Sequence, residues 1–474
     1  MAILRFVFIC LEVLALFNVL IFVHELGHFW AARWRGLKAE RFAIWFGKPI
    51  WSKKINGVEY ALGWIPFGGY VALPQMAPMD MIEGKSTEEP SPEPLPPVSA
   101  LDKIIVAFAG PLFSFLLAVV FAVVVWGIGR PVSESETTTL LGYVEKDGPA
   151  DKAGLKPGDR ILEVDDKPVS KFGGMGNSIV WRIVRSEGEQ VPVKFERDGK
   201  ILTVNVSPVR PATRALQRKS LRQIKVEPAQ LPIVAYTFTN SPAFAAGLRQ
   251  FDEILEANGR KLVHYAQVAE IVAESGDAPV SLKVRRGTNE FALQIKAEKP
   301  ISPPDLKAML GISWLSGGRM SIAYPAPLEQ IASGISTMTD TLGALFSSKS
   351  DIGVQHLSGA VKILNIYWLL FESEQGWRQA LWFSVVMNVN LAVLNLLPLP
   401  ILDGGHILLA MIEWVRRRPV SVQVLQYVQT GCFAALLLFM LFVTFFDSQE
   451  VWRGGREKSL VPQFAPKAAA PARN

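Results

Sequence analysis

The sequence predicts a multi-pass α-helical membrane protein that also carries folded domains outside the lipid. Of its 474 residues, 50% are hydrophobic and 19% are charged, and the mean hydropathy is +0.24. The chain is therefore too apolar overall for an ordinary soluble protein and too charged to be buried entirely in lipid. Four segments are long and apolar enough to be transmembrane helices, at about residues 3–31, 103–128, 380–399 and 422–446. Between the second and third lies a long polar segment that contains an internal repeat.

The basic residues orient the predicted helices in the membrane. The net charge is +6, and basic residues cluster at the ends of apolar segments, notably within 33–41 and 416–418. By the positive-inside rule both of these connections face the cytoplasm, so both termini and the long polar segment lie outside. Basic residues within 453–458 weigh mildly against this orientation. Because no single basic patch is present, we expect no nucleic-acid partner.

The first apolar segment contains a motif of residue types that bind metals and transfer protons, His24-Glu25-Leu26-Gly27-His28. On a helix this spacing places two imidazoles on one face, one turn apart, with a carboxylate beside them, as a hydrolytic Zn²⁺ site requires. Ionisable groups are costly within a membrane, which favours a functional site over a chance match. A third ligand is still needed.

Residues 42–73 predict β-strands that surround a turn at 54–57 and end in Pro66-Phe67-Gly68-Gly69-Tyr70-Val71. Such strands could dip into the membrane only where protein or a wet cavity covers their backbone, and the alternative is a peripheral hairpin. Residues 80–97 are rich in Pro, Glu and Ser, and they predict a flexible cytoplasmic linker.

The polar segment repeats itself with an offset of 93 residues, from Gly154 to Gly247. The pattern Pro-Ala, Ala-Gly-Leu and then Asp-x-Ile-Leu-Glu occurs in each copy and resembles PDZ domains, although Phe251 stands where the first copy has Gly158. That resemblance implies binding of extended peptides or protein termini at a sheet edge. Two folded spacers that bind nothing specific are the alternative.

Residues 321–375 have an amphipathic pattern that predicts membrane-proximal helices or a plain linker helix packed on the second repeat.

The chain after this segment supplies the third ligand. Asp403 follows two prolines and precedes Gly404 and Gly405, so a broken, turning backbone can aim its carboxylate inward. His24, His28 and Asp403 would then hold Zn²⁺, with one coordination position open for water.

The predicted parts of the chain follow from these patterns. They are transmembrane helix one at 1–35, a cytoplasmic-side β region and linker at 36–100, transmembrane helix two at 101–130, two extracytoplasmic PDZ-like domains at 138–212 and 225–300, membrane-proximal helices at 321–375, transmembrane helix three at 378–405, transmembrane helix four at 420–447, and a C-terminal tail at 448–474.

These motifs together resemble the site-2 proteases. The resemblance rests on the His-Glu-Leu-Gly-His helix, Pro-Phe-Gly-Gly-Tyr-Val, Ala-Gly-Pro at 109–111, the tandem repeats, Leu-Ser-Gly at 357–359, and the motif Asn-Leu-Leu-Pro-Leu-Pro-Ile-Leu-Asp-Gly-Gly. It implies a bacterial inner-membrane zinc protease that cuts single-pass transmembrane proteins, such as an anti-sigma factor or remnant signal peptides, inside the bilayer near its cytoplasmic face. It assigns Zn²⁺ to His24, His28 and Asp403, and the catalytic base to Glu25.

Substrate contacts are a further expectation. The resemblance implies that Asn390 and Asn395 hold the substrate backbone. A helical substrate must unwind before cleavage, and the edge strand that includes Gly68, Gly69 and Tyr70 could hold it extended by β-addition. The paired repeats would exclude substrates with bulky external domains.

Two positions depart from the family pattern. Ser114 stands where the family has asparagine, and Ala360 where it usually has proline.

Two other functions compete with a protease. A catalytically inactive, membrane-anchored PDZ scaffold would explain the repeats but has no use for Glu25. An ion or proton transporter is less favoured, because four spans without an inverted repeat suit that function poorly.

Overall fold

A computed structural model describes residues 2–76, 98–213, 217–315, 317–373, 375–418, 420–457 and 461–466. They form two compact units. The helical unit comprises Met1–Arg130, Tyr324–Thr339 and Ser358–Asp447, and the modular unit comprises Pro131–Ala323, Asp340–Leu357 and Ser448–Asn474. The linker predicted at 80–97 lies outside the described residues, as does much of the C-terminal tail.

Twelve α-helices occur in the described residues, besides a 3-10 helix at Val354–His356. They are α1 (Ala2–Trp34), α2 (Ala100–Ile128), α3 (Glu134–Thr137), α4 (Pro149–Lys152), α5 (Ile179–Arg185), α6 (Pro242–Ala245), α7 (Ala266–Ser275), α8 (Pro327–Phe346), α9 (Ala360–Glu372), α10 (Gly376–Asn395), α11 (Asp403–Arg416) and α12 (Val422–Glu457).

The described strands number sixteen. They are β1 (Arg41–Ile55), β2 (Val58–Ala72), β3 (Arg130–Val132), β4 (Leu141–Val144), β5 (Arg160–Val164), β6 (Lys167–Pro168), β7 (Val191–Arg197), β8 (Lys200–Val206), β9 (Val226–Pro228), β10 (Val234–Thr237), β11 (Glu253–Ala257), β12 (Arg260–Lys261), β13 (Val280–Arg286), β14 (Asn289–Ile295), β15 (Ile312–Trp314) and β16 (Ser321–Ala323).

Three described helices are long and apolar enough to cross a membrane, over Ile3–Trp34, Ala100–Ile128 and Gln423–Trp452. The third predicted span corresponds to α10, which is not among them. Its asparagines at 388, 390 and 395 lower its hydrophobicity. A fourth membrane crossing by α10 therefore remains a prediction.

Strands β1 and β2 form an antiparallel pair in which both strands bend. Ala43 pairs with both Tyr70 and Ala61, so the start of β1 lies between the two arms of β2. The arm that contains Gly69 and Tyr70 pairs with β1 alone among the described residues, and it is therefore a sheet edge. Phe29 of α1 packs with Phe42 and Val71 in a small core that joins this sheet to the helix.

The modular unit contains two modules with the same topology. Their four-stranded sheets have the orders β6-β5-β7-β8 and β12-β11-β13-β14, and each module has its own buried apolar cluster.

The aspartate repeated in each module pairs with an arginine of the same module. Arg197 donates two hydrogen bonds to buried Asp159, at 2.6 and 2.7 Å, and Arg286 donates to Asp252 at 2.7 and 2.6 Å.

Phe251 adopts the backbone conformation that its counterpart Gly158 adopts. Their φ angles are +66° and +95°, a region in which a side chain is unfavourable. The phenylalanine side chain is exposed. The second module thus keeps the tight turn of the first without its glycine.

Helix α8 contributes to both units. Ile331 belongs to a buried cluster of the helical unit, and Ala344 packs against Val184 and Ile352 in the modular unit. Because Val184 lies in α5, this second half of the helix packs on the first module, whereas the linker alternative placed it on the second.

The Leu-Ser-Gly motif leads into α9. Gly359 and Lys362 donate backbone N–H groups to Asp447 of α12, at 2.8 and 3.2 Å, which satisfies part of the helix N-terminus. Ala360 is the first helical residue. The N–H of the first helical residue has no partner within the helix, so proline and alanine both suit this position. Ala360, in place of the proline that the resemblance implies, therefore leaves the start of the helix intact.

Candidate metal centre

Two imidazoles of α1 converge in the helical unit. His24 and His28 are four residues apart on one helix face, and their Nε2 atoms lie 3.3 Å apart. Both rings are largely withdrawn from solvent. The helix alone therefore fixes two potential ligands at a spacing suited to one ion.

Asp403 completes the cluster from a distant part of the chain. Helix α10 ends at Asn395, Pro398 and Pro400 interrupt the backbone, and α11 begins with Asp403 itself. Its Oδ2 lies 3.3 Å from His24 Nε2, and its Oδ1 lies 3.3 Å from His28 Nε2. Within the described residues, His24, His28 and Asp403 form a cluster that could hold a metal ion.

The dimensions and chemistry of this cluster fit zinc. A tetrahedral ion with bonds of about 2.0–2.1 Å has ligand–ligand distances of about 3.3–3.4 Å. The two imidazole Nε2 atoms lie 3.3 Å apart, and each lies 3.3 Å from a different oxygen of Asp403, so the cluster has the size that one such ion needs. Asp403 Oδ2 is buried without a hydrogen-bond partner in the described residues, despite its closeness to His24. An unpartnered buried carboxylate oxygen beside two imidazole nitrogens is an arrangement that a cation would stabilise.

Helix α2 holds the other nitrogen of each imidazole. His28 Nδ1 lies 2.8 Å from the Val106 carbonyl oxygen, which can only accept, so Nδ1 carries the proton. His24 Nδ1 lies 3.0 Å from Ser114 Oγ, and we assign it as a donor too, because its Nε2 faces Asp403. In both rings, Nε2 is then left as a lone-pair ligand.

Gly110 allows this contact between the two helices. A Cβ at this position would lie 2.1 Å from His28 Nε2, so any side chain would displace the imidazole. Val106, Gly110 and Ser114 follow one another at four-residue intervals and therefore lie on one face of α2. This face opposes the two histidines, which have the same spacing on α1.

Glu25 lies next to His24 on α1 and faces the edge of the β-sheet. A Cβ at Gly69 would lie 3.1 Å from Glu25 Cγ, which shows that the strand backbone approaches the carboxylate side chain closely. Gly68 precedes it at a φ of +77°, and Tyr70 accepts a hydrogen bond from Arg41 at 3.2 Å. All three sequence-predicted strand residues thus lie on the arm of β2 beside Glu25.

The two asparagines of α10 have different positions. Asn395 Nδ2 lies 3.3 Å from His24 Nε2, so this residue borders the cluster. Asn390 is five residues earlier, about 140° away around the helix. Its Oδ1 is buried without a hydrogen-bond partner in the described residues. The structure brings Asn395 to the candidate site and gives no contact between Asn390 and the three candidate ligands.

Sequence reasoning missed the contribution of α2. Gly110 and Ser114 belong to a run of small residues at intervals of four, which continues through Ala118 and Ala122. Such a stripe permits close helix packing in membranes and is readable from sequence. What the pattern does not reveal is which helix packs there, and hence that Ser114 meets His24.

Comparison with known proteins points to one family. A model of peptidase family M50 matches residues 12–439 of this chain. The chain is 29% identical over 445 residues to a protein of Neisseria meningitidis named "Putative zinc metalloprotease", covering 90% of this chain and 96% of that protein. It is 27% identical over 442 residues to "Regulator of sigma-E protease RseP" of Salmonella typhimurium, covering 86% and 91% of the two chains. It is 29% identical over 466 residues to "Regulator of sigma E protease" of Haemophilus influenzae, covering 90% and 96%.

Proposed function

This chain belongs to peptidase family M50, and from that premise we propose that it is an intramembrane zinc metalloprotease that hydrolyses peptide bonds within transmembrane segments of other proteins. The observation that carries the proposal is the convergence of His24, His28 and Asp403: the two Nε2 atoms lie 3.3 Å apart, and each lies 3.3 Å from one of the two Asp403 carboxylate oxygens. A zinc ion held by these side chains would lower the pKa of a water molecule to about 7 and polarise a carbonyl oxygen.

Glu25 is the residue that moves protons in this proposal. It follows His24 directly and lies beside the strand arm where a substrate would be held. Its carboxylate takes a proton from the attacking water and returns it to the leaving amine, the role of a general base and then a general acid. The half-buried position of Glu25 limits competing solvent contacts.

The substrate is held extended against β2. Hydrolysis needs a carbonyl released from its helical hydrogen bond, and the freed backbone groups then need new partners. The arm of β2 around Gly69 and Tyr70 offers an edge next to Glu25, and a substrate strand would pair there. Asn395 adds an amide beside His24 that can bind the substrate backbone.

The substrate class follows from the location of the site. Single-pass membrane proteins are the proposed partners, including an anti-sigma factor by the likeness to proteases named for the regulation of sigma E. We place the protein in a bacterial inner membrane with the two modules outside and the site towards the cytoplasm. The modules connect in sequence to α2 and α8, and they exclude substrates with bulky external domains.

A paired substitution on α1 tests the activity. Glu25→Gln should abolish cleavage of a model transmembrane substrate while zinc remains bound at one ion per chain, because only the proton-transfer group is lost. Glu12→Gln is the matched control, since it makes the same chemical change thirteen residues earlier on the same helix, about 20 Å away. Cleavage by the Glu25→Gln variant, or purified protein without zinc affinity, would exclude the proposed function.

A further inference from the structure

The segment after the last membrane helix binds to the second module. Residues 461–466 follow α12, and backbone hydrogen bonds join them to the stretch that follows β14. The Ile301 N–H donates to the Gln463 carbonyl at 2.8 Å, and the Gln463 N–H donates to the Ser302 carbonyl at 2.8 Å. The pair Ser302 and Gln463 is antiparallel, as in a strand added to a sheet edge.

The segment has an inward face and an outward face. Along 461–466, Pro462 is partly buried and Phe464 is buried, whereas the other four residues are exposed. Such alternation is typical of a strand with one face against protein. Phe464 is only 5% exposed, so its ring is the apolar anchor of the contact.

Gly311 forms the floor under this anchor. A Cβ at Gly311 would lie 3.0 Å from Phe464 Cε2 and 2.3 Å from Ser241 Cβ. The residue has a φ of +77° and lies just before β15, and its carbonyl accepts hydrogen bonds from Ser241 and from the backbone of Phe238. The second module thus has a recess at Gly311 and Ser241 that holds one aromatic ring.

We propose that residues 461–466 are a tethered peptide ligand of the second module, and that the strip at Ile301, Ser302 and Gly311 is a docking site for extended, uncharged peptides with an aromatic side chain. The segment Val-Pro-Gln-Phe-Ala-Pro carries no charge. Its recognition uses backbone hydrogen bonds and one aromatic recess, so any peptide with these features fits. The site shares no residue with the candidate metal centre, and the proposal does not depend on peptidase activity.

Tethering determines how the site behaves. A ligand in the same chain as its site binds intramolecularly, with an effective concentration that can far exceed that of a free peptide, so a free peptide of the same sequence competes poorly. The chain's own tail therefore occupies the site until a partner with higher affinity, or removal of the tail, releases it.

Binding of a labelled peptide tests the proposal. The probe is fluorescent Val-Pro-Gln-Phe-Ala-Pro, titrated against the intact protein and against a variant that ends at residue 460. The truncated variant should bind at least about tenfold more tightly than the intact protein, because it lacks the tethered competitor. Equal affinities for the two proteins, or no binding to the truncated variant, would overturn the proposal.

Substitutions within the tail separate the anchor from its neighbours. Phe464→Ala in the intact chain should bind the probe as tightly as the truncated variant, whereas Val461→Ala, at a residue 49% exposed, should behave like the wild type. A probe peptide with alanine in place of phenylalanine should bind neither the intact protein nor the truncated variant. An unchanged affinity of the Phe464→Ala protein for the probe would show that the ring is not the anchor.

Cross-linking tests the contact without a probe. With Cys10 and Cys432 replaced by serine, Ser302→Cys combined with Gln463→Cys should form a disulfide under mild oxidation, and adding Phe464→Ala should reduce its yield severalfold. The control pair, Ser302→Cys with Pro466→Cys, moves the second thiol about 10 Å along an extended strand. Equal yields from the two pairs would refute the docked arrangement.

Discussion

His24 Nδ1 lies 3.0 Å from Ser114 Oγ, so a serine of α2 holds a candidate metal ligand of α1. Ser114 is fully buried, and its hydroxyl fixes the ring so that Nε2 faces Asp403. An asparagine, which the resemblance implies at this position, can also accept a hydrogen bond through its side-chain oxygen. The departure therefore changes the hydrogen-bond acceptor and preserves its role.

Removal of this hydroxyl should weaken metal binding. Given the proposed zinc site, Ser114→Ala should lower the affinity for Zn²⁺ by about 10–100-fold, because the His24 ring loses its orienting partner. Chelator competition measures the affinity, and the absorption spectrum of the Co²⁺-substituted protein reports the ligand geometry. Ser114→Asn should retain most of the affinity.

Ser384→Ala provides the matched control. Ser384 is also fully buried in the helical unit, but its hydroxyl bonds Tyr367 at 2.9 Å and the Ala380 carbonyl at 2.8 Å. A metal affinity that falls equally in both alanine variants would mean that Ser114 acts only through general stability.

Gly110 should tolerate no side chain. In Gly110→Ala the added methyl would occupy the position of the His28 ring, so the imidazole must move and zinc affinity should fall by at least about tenfold. Gly127→Ala is the control on the same helix, because a Cβ there meets nothing within 4 Å. Isothermal titration with Zn²⁺ distinguishes the two, and similar affinities would contradict the close helix contact.

Proline substitutions along β2 should separate folding from substrate binding. Successive residues of a strand direct their N–H groups to opposite edges, here inward to β1 or outward to the free edge. Proline substitutions at Gly69, Tyr70 and Val71, one at a time, therefore remove inward and outward N–H donors alternately. Outward substitutions should reduce cleavage of a transmembrane substrate by at least about tenfold, while the melting temperature stays near that of the wild type. Cleavage unchanged in all three variants would exclude β-addition at this edge.

The modular unit should lose stability in mild acid because of His264. Burial lowers the pKa of His264, and the nearby Glu227 carboxylate, 3.1 Å from its Nε2, only partly offsets this effect. Its Nδ1 accepts the Ala266 N–H at 3.2 Å, a bond that protonation would break. Since the unfolded state binds the proton more readily, stability is present above the unfolded pKa of about 6.5 and is lost as the pH falls below it.

Urea unfolding between pH 7.5 and 5 measures this dependence. His264→Asn keeps an acceptor for the Ala266 N–H and removes the titrating ring, so its stability should change less with pH than that of the wild type. A wild-type protein that gains stability as the pH falls through this range would show that His264 is protonated in the folded state.

The sequence predicted the chemistry because the candidate ligands lie in short, recognisable motifs. The His-Glu-x-x-His helix needs only local geometry, and Asp403 sits between prolines and glycines that force a turn. The comparisons confirm the family. Repeat detection located two modules, because the same buried aspartate and turn recur in each copy. These patterns did not decide the position of Asn390.

The sequence by itself determined the helix bearing His24 and His28, the apolar segments and the repeated modules, because each depends on neighbours close along the chain. The sequence also predicted Asp403 as the partner of those histidines, without its geometry. Only the tertiary structure decided how closely Asp403 approaches them, that Ser114 and Gly110 hold them, and that Phe464 enters the recess at Gly311. These contacts join residues far apart in sequence. They depend on which helix or strand packs against which, and no local pattern encodes that choice.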